Sequence, residues 1–364
     1  MKIGILTFHA SHNYGSMLQA YALQTYLMEK GYDVYIINLR IWAQKKKYSH
    51  PLLTFKKSSL RYILKPHLLL QDISKYNKFE RFMSENYRLT PEFHKLKEVD
   101  NYVRENKFDA LISGGDQIWN MNADDFTIAY YLPFDIPGIR KIAYSASFGS
   151  GELFVPEHYQ KAIKKLLEDY DSLCTRDEAG SELLTKLFGR LIPSMTDPTM
   201  LLTKSVYEKL AGEKPIISGK YIFYYTPINR PELASLALNF AKTKGLPIYT
   251  SNGKQNHCKG MRRIQNIGPK EFLNLLMHAD VVCGKSFHLV VFSLIMEKQF
   301  LSITGNSDAR ISGILDKFGL KDHGVAADVS LDNFELSDVD WAHVRKVLSQ
   351  YRSKGEDYLN EALI

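Results

Sequence analysis

His288 ends the run Gly284-Lys285-Ser286-Phe287-His288, the stretch of this chain best placed to do chemistry. A short apolar run, 281–283, comes first and is bounded by turn residues, so it reads as a buried parallel strand. Gly284-Lys285-Ser286 makes the turn, and Ser286 is a good N-cap for an apolar helix from 287 to about 298. His288 then falls in the first helical turn, at the carboxyl end of a strand. Open α/β sheets bind ligands at that edge, and helix N–H groups and the dipole favour an anion there. On spacing alone a second reading stays open, a core helix that contains a histidine.

Two more turns offer polar groups at strand ends. Residues 2–8 read as a first strand, followed by a polar turn into a helix at about 16–30, with Gly31 as its C-terminal cap. Asn13, Gly15 and Ser16 in that turn would present N–H groups to a phosphate or carboxylate, or make an ordinary tight turn. The turn lacks the GxGxxG spacing of a dinucleotide site. Strand 108–113 runs into Gly114-Gly115-Asp116-Gln117-Ile118-Trp119-Asn120. Glycines directly after a strand admit a close backbone or ligand, so Gly115, Asp116 and Gln117 are candidate ligand contacts. A strand at 172–175 delivers Arg176 to its end, and Asp177 suits the cap of a helix at 178–188.

The elements that position these residues alternate as βα repeats in two consecutive halves. Strands at 34–39, 142–147, 221–225, 247–250 and 300–303 alternate with helices at 157–169, 231–244, 269–279 and 308–318. This alternation predicts an α/β protein of two Rossmann-like domains facing across a cleft. The expected boundaries are 1–202 for the first domain, 203–220 for a linker and 221–364 for the second. The second would end in a long amphipathic helix at about 338–362, packed back across the domains. A length of 364 residues, 45% hydrophobic and 24% charged, fits two globular domains. Three widely spaced cysteines (Cys174, Cys258, Cys283) form no metal or disulfide pattern and read as reduced thiols. With no leader and no spanning apolar run, a cytoplasmic location is expected. His9, His12, His257 and Cys258 show no metal-ligand spacing, so no metal is assigned.

Residues 40–81 break the alternation. They hold eleven Lys or Arg against two acids, Asp72 and Glu80, an excess of nine where the whole chain has +7. Apolar residues are interleaved. The segment reads as a basic helical insertion in the first domain, spanning about 40–90. It suits an anionic membrane face or a polyanionic substrate; a solvated helical hairpin is the alternative. No nucleic-acid-binding motif accompanies the charge.

Six motifs in order resemble the polysaccharide pyruvyl transferase family. They are Asn13-Tyr14-Gly15 with Leu18-Gln19-Ala20-Tyr21-Ala22-Leu23-Gln24, Gly114 to Asn120, Tyr144-Ser145-Ala146-Ser147-Phe148-Gly149, Thr175-Arg176-Asp177, Asp197-Pro198-Thr199 and Ser286-Phe287-His288. The resemblance implies a GT-B-like fold and transfer of a pyruvyl group from phosphoenolpyruvate to a sugar. The sugar would belong to a surface polysaccharide or its lipid-linked precursor. A lipid-linked acceptor would give 40–81 a membrane-facing role at the inner face of the membrane. No cofactor is implied beyond phosphoenolpyruvate as donor.

That chemistry needs cations for a phosphate and a carboxylate, and an acid for the methylene carbon. His288 is the candidate acid or phosphate holder. Arg176 and Arg310 are the candidate anion-binding arginines, with Asn13, Gly15 and Ser286 completing the set. The family often reads Asp-Ser-Phe-His-Gly where this chain has Lys285-Ser286-Phe287-His288-Leu289. The lysine offers a phosphate contact in place of the acid. Two rival readings remain: a GT-B glycosyltransferase using a nucleotide sugar, and a non-catalytic glycan- or anion-binding relative.

Overall fold

The structure is a computed structural model. It describes residues 1–53, 62, 65–149, 157–227, 230–252, 258–303, 308–329, 331 and 334–364. Part of the basic stretch (Lys56, Lys57, Arg61) and His257 lie outside the described residues. The chain divides into two compact units. One holds Met1–Ser49, Glu80–Leu202 and Gln350–Ile364; the other holds His50–Phe79 and Thr203–Ser349.

In chain order the first elements are β1 (Lys2–Leu6), α1 (Tyr14–Glu29), β2 (Asp33–Ile36), α2 (Trp42–Lys47), α3 (Pro66–Asn86) and α4 (Leu96–Glu105). Then come β3 (Ala110–Gly114), β4 (Arg140–Tyr144), α5 (Glu157–Glu168) and α6 (Glu178–Phe188). The later half runs α7 (Lys204–Ala211), β5 (Ile222–Tyr225), α8 (Pro231–Lys244), β6 (Ile248–Thr250), β7 (Arg262–Arg263) and α9 (Pro269–Met277). It closes with β8 (Val281–Gly284), α10 (Phe287–Ile295), β9 (Gln299–Ile303), α11 (Ala309–Lys317), β10 (Gly324–Val325) and α12 (Trp341–Leu363).

The first unit's sheet is parallel, in the order β2-β1-β3-β4. Its strands are four or five residues long and largely buried, as strands of a parallel sheet are. Parallel bridges prolong the sheet at both edges: Leu89 joins Ile36 on one side, while Ser172 and Thr175 join Ile142 and Ala146 on the other. The expected strand at 172–175 therefore exists only as bridges. Beneath the sheet lies a core that includes Leu6, Leu111, Trp119, Tyr131 and Ala143, all almost wholly buried.

The second unit's sheet is also parallel, in the order β10-β9-β8-β5-β6-β7. Local signals set its helix ends. Pro231 opens α8, and Gly245, left-handed at φ 62°, closes it. Glu271 returns a carboxylate oxygen to the Gly268 N–H at 2.9 Å, fixing the start of α9. α10 stops at Ile295, before the 298 expected, because Glu297 turns left-handed at φ 55°. Lys298 N–H then bonds the Ser293 carbonyl at 2.8 Å.

Three expectations about organisation change. Residues 203–220 are not a bare linker: they carry α7, and the Asn274 amide donates to the carbonyls of Ala211, Gly212 and Lys214. The stretch following α7 is thereby tied to α9. The basic insertion forms α2 and α3, but its residues 50–79 group with the second unit. There Lys78 pairs with Glu271 at 2.7 Å. The last turns of α12, from Gln350, group with the first unit. Tyr358 donates its hydroxyl to the Ala143 carbonyl at 2.8 Å, and Arg140 holds the Ile364 carbonyl at 2.5 Å. Gly355 has no Cβ where the Tyr144 hydroxyl would meet one at 2.5 Å. Among the described residues no helix is long and apolar enough to cross a membrane.

Candidate functional site

Strand order reverses direction once in each sheet, between β1 and β3 in the first unit and between β5 and β8 in the second. Such switch points open a crevice at the carboxyl ends of the strands, where doubly wound sheets take their ligands. The residues singled out by sequence fall at these two places.

In the first unit, Asn13 caps α1. Its side-chain oxygen accepts from the N–H groups of Gly15 at 2.9 Å and Ser16 at 3.3 Å. Those two amides are thus used by the cap, which starts the helix two residues before the expected position. Ser16 donates its hydroxyl to Asp116 Oδ2 at 2.5 Å, joining the turns after β1 and β3. Gly115, at φ 91°, is needed here: a Cβ would sit 1.8 Å from Gln19 Oε1. Gln19 in turn donates to Thr7 Oγ1 and to the Ser16 carbonyl, both at 2.8 Å. Gln117, Asn120 and Gly149 meet nearby, with Asn120 Nδ2 donating to Gln117 Oε1 at 3.4 Å.

Arg176 comes to the same edge, but it is buried there. Its Nη1 lies 3.3 Å from Asp197 Oδ2 and 3.5 Å from Asp116 Oδ1, and the side chain is 2% exposed. Burial opposes its charge, yet the fields of Asp116, Asp197 and Asp177 outweigh burial and hold the guanidinium protonated. Asp197 also accepts from the Thr199 N–H at 3.0 Å and hydroxyl at 2.7 Å. Asp177 caps α6 through Gly180 N–H and accepts the Ser147 hydroxyl at 2.6 Å. Arg176 is therefore surrounded by carboxylates, and the edge carries more acid than base.

The turn after β1 is held from a second side. His12 Nε2 lies 3.1 Å from Glu80 Oε1, and Arg40 grips the same carboxylate through Nη1 and Nη2. Burial would raise the Glu80 pKa, but bonds from His12 and Arg40 bring it below the usual range. His9 is fully buried between the Thr7 carbonyl and the Asn38 amide, and burial pushes its pKa down to about 4.

In the second unit, Gly284 ends β8 against the neighbouring strand. A Cβ there would lie 1.9 Å from the Tyr225 carbonyl oxygen, and φ is 143°. Lys285 follows, half-exposed, and among the described residues it makes no ion pair. Ser286 caps α10, its hydroxyl accepting from Leu289 N–H at 3.4 Å. His288 sits in the first turn and is 9% exposed. Arg310 opens α11 and pairs with its own cap, Asp308: Nε to Oδ1 is 3.1 Å and Nη2 to Oδ2 is 2.9 Å. Burial would raise the Asp308 pKa, but Arg310 and, at longer range, Lys285 bring it below the usual value. Lys285 and Arg310 thus share an electrostatic environment at the ends of β8 and β9.

The structure brings Asn13, Gly15, Ser16, Gly115, Asp116, Gln117 and Arg176 to one edge and Lys285, Ser286, His288 and Arg310 to another. Sequence reasoning missed Asp197 and Asp308 as site residues. Both precede a helical turn, and an acid at a cap is the signal that could have found them. Among the described residues no three His, Cys, Asp or Glu side chains are grouped to hold a metal.

The family model described as Polysaccharide pyruvyl transferase matches residues 13–307. The chain belongs to that family. No curated protein matches it. Among solved structures, UDP-GlcNAc 2-epimerase of Methanocaldococcus jannaschii, in complex with UDP-GlcNAc and UDP, is 13% identical with a TM-score of 0.53; the match covers 97% of this chain and 93% of that one. The UDP-N-acetylglucosamine 2-epimerase of Rickettsia bellii is 10% identical with a TM-score of 0.53, covering 100% and 96%. At these identities the likeness is one of fold alone. The fold of this family member is α/β with two Rossmann-like units, in the GT-B-like class.

Proposed function

We propose that this pyruvyl transferase family member uses phosphoenolpyruvate as donor and a sugar of a surface polysaccharide, or its lipid-linked precursor, as acceptor. The observation that carries the reading is the set Lys285, Ser286 and His288 at the second sheet's switch point, beside Arg310. A half-exposed lysine and a helix N-terminus suit the donor's phosphate. Arg310, oriented by Asp308, suits its carboxylate.

In the proposed reaction His288 gives a proton to the donor's methylene carbon, leaving positive charge on C2. A sugar hydroxyl adds its oxygen to C2 and loses its proton. The C2–O bond to phosphate then breaks, phosphate leaves, and a second hydroxyl of the sugar closes the ketal with loss of its proton. An acid at this step contributes on the order of 10²–10⁴-fold. The first unit's edge, with Asp116, Asp197 and Asp177 around one arginine, suits a neutral polyhydroxyl ligand better than a dianion. Ser16, Asp116 and Gln117 are therefore assigned to the acceptor.

Thermal shift tests the donor. Phosphoenolpyruvate raises the melting temperature by mass action if it binds the folded chain. The shift is expected to weaken in His288→Ala and to be absent with a panel of UDP-sugars. A shift with a UDP-sugar alone would move the assignment to a glycosyltransferase; no shift with either would favour the non-catalytic reading.

A further inference from the structure

We infer that Trp42 is a stacking platform for a remote sugar of a polymeric acceptor, so that the first unit binds an extended glycan and not a single sugar. The inference rests on the assignment of Ser16, Asp116 and Gln117 to the acceptor. Every residue it uses belongs to the first unit. Trp42 opens α2 and is 67% exposed, whereas Trp119 is 1% exposed. A ring of that size is ordinarily covered by something.

Hydrogen-bonding groups rim the indole. The His94 ring centre lies 5.2 Å from that of Trp42, with the two planes 32° apart. His94 Nδ1 donates to the Arg40 carbonyl at 3.1 Å, which fixes the imidazole. Lys45 Nζ stands 5.8 Å from the centre of the indole and 2.6 Å from Glu92 Oε1. The side chains of Lys45, Glu92 and His94 are 37%, 35% and 29% exposed, so each still faces water. Lys45 and Glu92 are paired, and a sugar suits such a pair: a hydroxyl both donates and accepts, and asks for no net charge. A pyranose also has an apolar C–H face, which an indole covers, and hydroxyls around its edge, which the rim meets.

Placement points to the acceptor. Beyond β2 the chain stays on the sheet: Leu39 bridges Phe93, and the Arg40 N–H bonds the Phe93 carbonyl at 2.8 Å. Trp42 therefore follows the carboxyl end of β2. From there α2 returns towards β1, because the hydroxyls of Tyr48 and Ser11 both donate to Asp125 Oδ2, at 2.9 Å and 2.7 Å. The Tyr48 ring stacks on His12, 5.2 Å away at 30°. Ser16 and Asp116 join the turns after β1 and β3 on the same edge. β2 and β3 flank β1, so their ends stand about 10 Å apart. That is farther than one sugar residue reaches and within the span of a short glycan. The edge thus carries polar groups at β3, a stacked pair at β1 and an exposed indole at β2.

Isothermal titration calorimetry of the full chain, without phosphoenolpyruvate, tests the inference. The probes are galactose, glucose and mannose with their linear oligosaccharides of graded length. At least one series is expected to bind more tightly as it lengthens. For its longest member, Trp42→Ala should weaken binding roughly tenfold, and Trp42→Tyr should keep most of the affinity. Shorter members should respond to neither change. Gln117→Ala should weaken short and long members alike. Melting temperatures show that each variant is folded. If Trp42→Ala weakens the long saccharide and Gln117→Ala does not, the platform stands and the acceptor assignment falls. If Gln117→Ala alone weakens binding, the acceptor assignment stands and the platform falls. Affinity that does not grow with length, or no binding by any series, overturns the inference. So does a dimer in gel filtration that Trp42→Ala dissolves, since a second copy then covers the indole.

Discussion

Arg176 Nη1 stands 3.3 Å from Asp197 Oδ2, and the two side chains are 2% and 0% exposed. A charge pair so far from water is held by geometry, since its desolvation is compensated only while both partners are present. Removing one leaves the other buried with its ion-pair partner at 3.3 Å gone. Arg176→Ala and Asp197→Ala are each expected to destabilise the fold by about 3–5 kcal/mol, read by urea unfolding. An arginine kept only to hold a ligand would cost little stability when removed, so variants within about 0.5 kcal/mol of the parent would refute the structural role.

Gly284 meets a different limit. A methyl group there would lie 1.9 Å from the Tyr225 carbonyl oxygen, in a strand paired on both sides. Backbone of two paired strands must separate to admit it. At Gly115 the obstacle is Gln19 Oε1, the end of a flexible side chain, although φ of 91° still strains any other residue. Gly284→Ala is therefore expected to lower the melting temperature more than Gly115→Ala. Equal effects would mean that backbone strain, common to both, decides the cost and the carbonyl contact does not.

The sheets and the helices with strong caps were legible in the sequence. Pro231 and Gly245 bracket α8 where expected, and Ser286 caps α10 as its position before an apolar run requires. A short apolar run between turn residues identifies a strand because both its faces are covered. Partners distant in sequence were not legible. Nothing local announces that Arg176 will meet Asp116 and Asp197, or that Asn274 will fasten the carbonyls after α7. That the C-terminal helix would be shared between the domains was expected, and α12 is so divided, but an amphipathic pattern gives a helix an inner face without saying which residues that face will touch. The site's positions were readable as strand ends, while the fate of each charge depended on packing.

His9 makes stability depend on pH. Burial holds its folded pKa near 4, below the ordinary 6.5 it regains when unfolded. Between those values the unfolded chain binds a proton that the folded chain refuses. Stability is therefore full above pH 6.5 and falls as pH drops towards 4, by about 3 kcal/mol from this group. His9→Gln removes the titration. The difference in unfolding free energy between parent and variant should change across that window and stay flat above it. A difference that does not vary with pH would mean that His9 is charged in the folded state.

Lys285 and His288 are assigned different tasks, and kinetics can separate them. A lysine that holds the donor's phosphate acts in both ground and transition state, so Lys285→Ala should raise KM for phosphoenolpyruvate by roughly tenfold with kcat little changed. An acid acts only as the methylene carbon takes its proton. His288→Gln, which keeps hydrogen-bonding capacity but loses the titrating proton, should lower kcat on the order of 10²–10⁴-fold with a smaller change in KM. Phosphate release with an acceptor sugar measures both. If His288→Gln raises KM alone, the imidazole holds phosphate and the proton comes from elsewhere. If Lys285→Ala lowers kcat as strongly as His288→Gln, the lysine acts on charge that develops as phosphate departs.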